Sequence, residues 1–120
     1  MNKITSNNIF KLNIDELNIV ELCMQTPGGI NKINPIFIDD FCEAIDLTIK
    51  KREILGVILT SKYKDFCHGV DFNMLEENSK FIIKKMILKF HKTMYAFKKC
   101  NKIIVAALNG SVLGGGYELA

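Results

Sequence analysis

Ile103-Ile104-Val105-Ala106-Ala107-Leu108-Asn109-Gly110-Ser111-Val112-Leu113-Gly114-Gly115-Gly116-Tyr117-Glu118-Leu119-Ala120 is the stretch that decides how this chain folds. Ile103 to Leu108 is apolar and opens on β-branched residues, the composition of a strand buried within a sheet. Asn109 to Leu113 is a turn, and a new helix is expected to begin near Gly115. Two phosphate-binding readings fail here. A P-loop needs Lys after its second spaced glycine; Gly110 and Gly115 have that spacing, but Gly116 stands where Lys should be. A dinucleotide fingerprint needs a G-x-G-x-x-G pattern, which Gly110, Gly114, Gly115 and Gly116 do not make. What remains is a strand, a turn, three glycines and an acid in the first turn of a helix. The N–H groups at a helix start lack internal partners and point outward as donors, so a developing negative oxygen would be held well there. Glu118 either acts on what those donors hold or simply complements the helix dipole.

The same stretch tests a membrane reading. Glu118 is its only charged residue, and a spanning helix needs roughly 20 mostly apolar residues. Asn109, Ser111 and the four glycines fit a strand and turn better than a span, so no membrane partner is expected.

Upstream, Ile9 to Leu12 and Asn18 to Gln25 read as strands, and Thr26-Pro27-Gly28-Gly29 breaks the chain. Asn34-Pro35 is a helix start, with Asn as cap and Pro at the first helical position. Ile38, Phe41, Cys42, Ile45 and Ile49 follow at helical spacing, giving one amphipathic helix from Pro35 to Lys51. Leu55 to Ser61 reads as a strand buried on both faces. A second helix covers Lys80 to Lys99, with Ile83, Met86, Ile87, Phe90, Met94 and Phe97 as its apolar stripe. That stripe is core by the ordinary reading, although it could line an apolar pocket. Strands alternating with helices imply a parallel sheet with right-handed crossovers.

The loop Phe66-Cys67-His68-Gly69-Val70-Asp71 follows the strand Leu55 to Ser61. Gly69 permits a sharp turn that leaves the Val70 N–H free. In an open α/β sheet, ligands bind beyond the carboxyl ends of the strands, where both this loop and the glycine segment lie. Two N–H groups converging on one point make an oxyanion hole. Cys67 and His68 do not form a nucleophile–base dyad, because neighbours in extended chain point opposite ways. His91 belongs to the surface or to satisfied core.

Composition bounds the rest. The chain has 120 residues, one domain or part of one, with 48% apolar and 24% charged residues. A net charge of +3 is weak, and the clusters Lys50-Lys51-Arg52, Lys84-Lys85 and Lys98-Lys99 read as solvated helix faces. No nucleic-acid partner is expected. Cys23, Cys42, Cys67 and Cys100 show no zinc spacing and read as reduced, mostly buried thiols of a cytoplasmic protein. The N-terminus Met1 to Asn8 has no apolar run typical of a secretion signal.

Together, Gly56 to Ser61 followed by Asp65 to Asp71, and then Ile103 to Ala120, resemble the two signatures of the crotonase (enoyl-CoA hydratase/isomerase) superfamily. Pro27-Gly28-Gly29-Ile30-Asn31-Lys32-Ile33 resembles the N-terminal part of the multifunctional fatty-acid oxidation α-subunit. The resemblance implies a crotonase-like α/β fold (the ββα-spiral), mostly parallel with crossover helices and incomplete, over residues 1–120. It implies an acyl-CoA thioester held by the N–H groups of Val70 and Gly115, Glu118 as the first catalytic glutamate, and Asp71 and Phe72 along the coenzyme A. Coenzyme A enters as part of the substrate; no other cofactor and no metal is expected. A homo-oligomer or a thiolase-containing complex is implied for a full-length relative. His68 departs from the family's usual small residue, and Val70 is larger than its common alanine. The family's second glutamate and its closing helices would follow Ala120, so little hydratase activity is expected of these 120 residues. The alternative is a non-catalytic remnant that binds acyl-CoA or a partner subunit.

Overall fold

In chain order the elements are β1 (Asn2–Ser6), β2 (Phe10–Ile14), β3 (Ile19–Met24), α1 (Pro35–Lys50), β4 (Gly56–Ser61), α2 (Phe72–Glu77), α3 (Lys80–Lys99) and β5 (Ile103–Ala106). The structure is a computed structural model. It describes residues 2–7, 9–114, 116, 119 and 120, with the backbone alone for residues 2–6.

The five strands form one sheet in the order β1-β2-β3-β4-β5. β3, β4 and β5 are parallel, with Val20 opposite Val57 and Val57 opposite Ile104. This is the crossover portion the sequence calls for, with α1 carrying the chain from β3 to β4, and α2 and α3 carrying it from β4 to β5. β1 and β2 extend the sheet antiparallel. The sequence does not announce β1: Asn2, Thr5 and Ser6 are polar, and only the pairing to β2 makes a strand of them.

α1 starts where Asn34-Pro35 predicts. The Asn34 side chain accepts the Phe37 N–H at 2.8 Å, and Pro35 occupies the first turn. Its buried face carries Phe37, Ile38, Phe41, Cys42 and Ile45. Phe37 meets Phe10 edge-on at 5.2 Å, and Phe41 meets Phe90 of α3 at 5.8 Å. Met86, Phe90 and Met94 pack on this core while Phe97 is buried within it, so the α3 stripe is core. Ile87, the outlier of that stripe, is exposed.

Alternation along the strands assigns two faces. Leu12, Val20, Leu22, Met24, Val57 and Leu59 are buried under α1. On the opposite face Ile58 is 37% exposed, Val105 51% and Ile103 74%. The expectation that Leu55 to Ser61 and Ile103 to Leu108 are buried on both faces is therefore corrected. Among the described residues α1 and α3 pack together on one side, and the opposite face leaves these side chains exposed. Strand β5 is also shorter than expected, ending at Ala106. Residues Phe72 to Glu77, to which the sequence reading assigns no element, form the six-residue helix α2.

Candidate active site

Three loops meet beyond the carboxyl ends of the parallel strands, and hydrogen bonds tie them together. Asn31 is the central tie and is 1% exposed. Its Oδ1 accepts the Thr26 N–H at 3.1 Å, and its Nδ2 donates to Ser61 Oγ at 2.9 Å and to the Phe66 carbonyl at 3.0 Å. Ser61 in turn donates to the Asp65 carbonyl at 2.8 Å. A buried polar side chain must satisfy its donors and acceptors, so Asn31 and Ser61 fix the path of the loop after β4.

Residues 66–71 run between two other segments in extended form. Cys67 bridges Val112 and Val70 bridges Ile33, both in parallel sense. The Ile33 N–H donates to the Gly69 carbonyl at 2.7 Å, and the Asp71 N–H donates to the Ile33 carbonyl at 2.9 Å. Ile33 thus bonds the residues on either side of Val70, and the Val70 N–H faces the other way. No described residue accepts it. Gly69, at φ 84°, makes the turn in the left-handed region that glycine takes without a steric cost.

Asp71 is half-buried and caps α2, its Oδ1 accepting the Asn73 N–H at 3.1 Å. Phe72 is 79% exposed. Val70, Asp71 and Phe72, with Lys32, His68 and Leu113, line an open cavity of about 310 Å³. Sequence-expected residues from the first signature are thereby brought beside Leu113 of the second.

Gly115 and Glu118 lie outside the described residues. Around them, Gly114 sits at φ 49°, and the Ala120 N–H donates to the Gly116 carbonyl at 3.1 Å, the spacing of an α-helical turn. Two glycines of the segment have roles that differ from close approach to a ligand. A Cβ on Gly116 would meet the Cys67 carbonyl oxygen at 2.7 Å, and one on Gly110 would meet the Lys64 carbonyl oxygen and Asp65 Oδ1. They are glycine because protein backbone, not substrate, passes there.

The Asp65 carboxylate is a second tie. Oδ1 accepts the Ser111 N–H at 3.0 Å, and Oδ2 lies 3.0 Å from His68 Nε2. The hydrogen bond from His68, followed by that from Ser111, holds this carboxyl below its ordinary pKa. One side chain thus links the two loops. Cys67 is buried and its thiol is pushed up by desolvation, with a backbone contact at Gly69 partly opposing. Among the described residues no hydrogen bond joins it to His68, whose Nε2 pairs with Asp65 instead. His91 is exposed on α3.

Sequence reasoning missed Asn31, Ser61 and Asp65 as tethers. Asn31 sits in a stretch that reads as turn, and Ser61 and Asp65 belong to a recognised segment without any spacing that marks them. Their partners lie 30 to 46 residues away.

Comparison with known proteins bears on the same residues. The enoyl-CoA hydratase/isomerase family model matches residues 15–120. The chain is 32% identical over 108 residues to the fatty acid oxidation complex subunit alpha of Pseudomonas syringae pv. syringae (strain B728a), covering 87% of this chain and 15% of that protein. It is 24% identical over 123 residues to the peroxisomal Delta(3,5)-Delta(2,4)-dienoyl-CoA isomerase of Arabidopsis thaliana, covering 92% of this chain and 44% of that one. Among solved structures, an enoyl-CoA hydratase of Geobacillus kaustophilus HTA426 superposes with a TM-score of 0.88 at 25% identity, over 97% of this chain and 44% of that chain. An enoyl-CoA hydratase/carnitine racemase of Magnetospirillum magneticum superposes at 0.80 with 28% identity, over 96% and 44%. These 120 residues therefore span less than half of each of these relatives. With the fold, both signature segments and the matched residues in agreement, the chain belongs to the enoyl-CoA hydratase/isomerase family.

Proposed function

We propose that this chain binds an acyl-CoA thioester and stabilises the enolate-like state of its carbonyl in a backbone oxyanion hole, as the N-terminal part of a fatty-acid β-oxidation hydratase/isomerase. The observation that carries this reading is the unaccepted Val70 N–H, aimed away from the Ile33 strand at the end of a parallel sheet. Gly115 supplies the second donor. Glu118 handles the α-proton or water as the general acid or base. Asp71 and Phe72 flank the coenzyme A, which comes with the substrate. The four free cysteines support a cytoplasmic setting. No described helix is long and apolar enough to cross a membrane.

Val70→Pro removes the donor, whereas Val70→Ala keeps it. We expect crotonyl-CoA binding, followed by calorimetry, to survive Val70→Ala and to be lost in Val70→Pro at unchanged melting temperature. Where turnover is measurable by loss of enone absorbance, the lost donor costs roughly 10²–10³ in rate. Equal behaviour of the two variants overturns the role of Val70. Turnover by the 120-residue chain is expected to be slight, since one of the two acids the family uses is present in it, and Glu118→Gln should remove it. The second reading, a non-catalytic acyl-CoA-binding or subunit-interaction remnant, is favoured by the uncovered sheet face at Ile58, Ile103 and Val105. Binding with no turnover at all, indifferent to Glu118→Gln, supports it.

A further inference from the structure

α3 carries two apolar stripes rather than one. The inner stripe, Met86, Phe90, Met94 and Phe97, packs on the core. The outer one is Phe81, Leu88 and Tyr95, exposed by 75%, 60% and 63%. These three recur every seven residues, so they drift by only about 20° per step and form a row roughly 21 Å long, facing away from the core. Core packing does not explain them.

The charge that α3 itself carries is of one sign. The helix sequence KFIIKKMILKFHKTMYAFKK holds seven lysines and no acid. Helical geometry puts Lys84 on one side of the row and Lys85 and Lys92 on the other. Lys99 Nζ lies 5.3 Å from the centre of the Tyr95 ring. Among the described residues only Lys89 of this helix is ion-paired, to Asp39 of α1 at 2.8 Å. Of the other acids, Glu43 and Asp46 belong to α1 and Glu76 and Glu77 to α2, and Asp39, paired to Lys89, borders the same cleft as Phe81.

We propose that this outer face docks on an anionic phospholipid surface. An apolar row ending in two aromatic rings and bordered by lysines suits the boundary of a bilayer. There the rings and Leu88 enter the acyl edge while the lysine stems lie along it with their ammonium groups among phosphates. Charge disfavours a second copy of the chain on the same face, because two such rows would bring lysine against lysine. The row is narrow and flanked by flexible side chains, and a lipid surface needs no shaped receptor to accept it. This revises the expectation of no membrane contact: the helix lies on the surface and does not span it. The inference goes beyond the proposed acyl-CoA chemistry and does not depend on it.

The test is co-sedimentation of the 120-residue chain with vesicles of phosphatidylcholine containing about 30 mol% phosphatidylglycerol, against phosphatidylcholine alone. Binding is expected only to the anionic vesicles and should fade toward roughly 0.5 M salt. Each neutralised lysine should weaken it about fivefold, so Lys84→Gln, Lys85→Gln and Lys92→Gln together weaken it on the order of a hundredfold. The chain has no tryptophan. A Tyr95→Trp variant therefore reports insertion by a blue shift on anionic vesicles, while a Leu17→Trp variant, on the hairpin between β2 and β3, stays unshifted. All substituted positions are exposed, and an unchanged circular dichroism spectrum shows that the fold is kept. The proposal is overturned by equal binding to both vesicle types, by binding that the triple variant leaves intact, or by an unshifted Tyr95→Trp signal. It is equally overturned if the chain ignores vesicles and instead self-associates, or captures an acidic protein, through Leu88.

Discussion

At the scale of single residues, the site is held by side chains that do no chemistry. Asp65 joins His68 to the Ser111 backbone, and this pairing lowers its carboxyl pKa. A carboxyl depressed on folding stabilises the fold above its unfolded value, about 3.9, and that contribution is lost as pH falls through the lower folded value. Asp65→Asn should therefore reduce the melting temperature at neutral pH, and the difference from the unsubstituted chain should close in acid. A constant difference across the pH range would mean that Asp65 acts by shape alone. Cys42 and Cys67 behave in the opposite sense: burial raises both thiols, so their contribution is complete below the ordinary thiol range and is lost as pH climbs through the raised values. At mildly alkaline pH we expect alkylation of half-buried Cys23 to precede that of Cys67, measured by mass spectrometry of quenched samples. Gly116 gives a third check. Ala there drives a methyl against the Cys67 backbone, so Gly116→Ala should separate the two signature loops and weaken acyl-CoA binding more than it lowers the melting temperature.

At the scale of elements, α1 is the best-specified piece of the chain. Asn34 and Pro35 start it, and a period-3.6 apolar face seats it on the sheet. Asn34→Ala removes the acceptor for the Phe37 N–H and should cost about 1 kcal/mol in denaturant unfolding. Phe41 touches rings of both β2 and α3, so Phe41→Ala should cost about 3–5 kcal/mol. If the second loss is no larger than the first, α1 is not the keystone of the core. α3 is specified less uniquely: its lysines and alternating apolar residues satisfy helical periodicity on two faces, and only packing chooses which one is inner.

At the scale of the whole molecule, α1 and α3 pack together on one side of the sheet among the described residues. The other side exposes Ile58, Ile103 and Val105, and β5 is the outer strand beside β4 among the described residues. An uncovered face of this kind binds hydrophobic dyes and promotes association. The 120-residue chain should enhance anilinonaphthalene sulfonate fluorescence in native buffer, and Ile58→Lys or Val105→Lys should reduce the signal without loss of secondary structure. No reduction would place the dye elsewhere, for instance at the cleft between Met94 and Ile104. The exposed strand also explains the one systematic misreading of the sequence. Continuous Ile, Val and Leu runs signal burial on both faces, but composition cannot say whether a cover lies within the same 120 residues.

The amino-acid pattern by itself determined the order of strands and helices from β2 onward except for the short α2, together with the start of α1, the extent of α3, and the loop at Gly69. These follow from local causes: periodicity, a capping Asn, a Pro at the first helical position, glycines at turns. The parallel half of the sheet was legible for the same reason. What only the tertiary structure decided is long-range. β1 is a strand because β2 pairs with it, and Asn31, Ser61 and Asp65 matter because their partners come from segments 30 to 46 residues away. Gly110 and Gly116 lack side chains because distant backbone passes close to them. The Val70 N–H joins both causes: Gly69 lets the chain turn there, and the Ile33 segment, by bonding Val70's neighbours, leaves that N–H without an acceptor among the described residues.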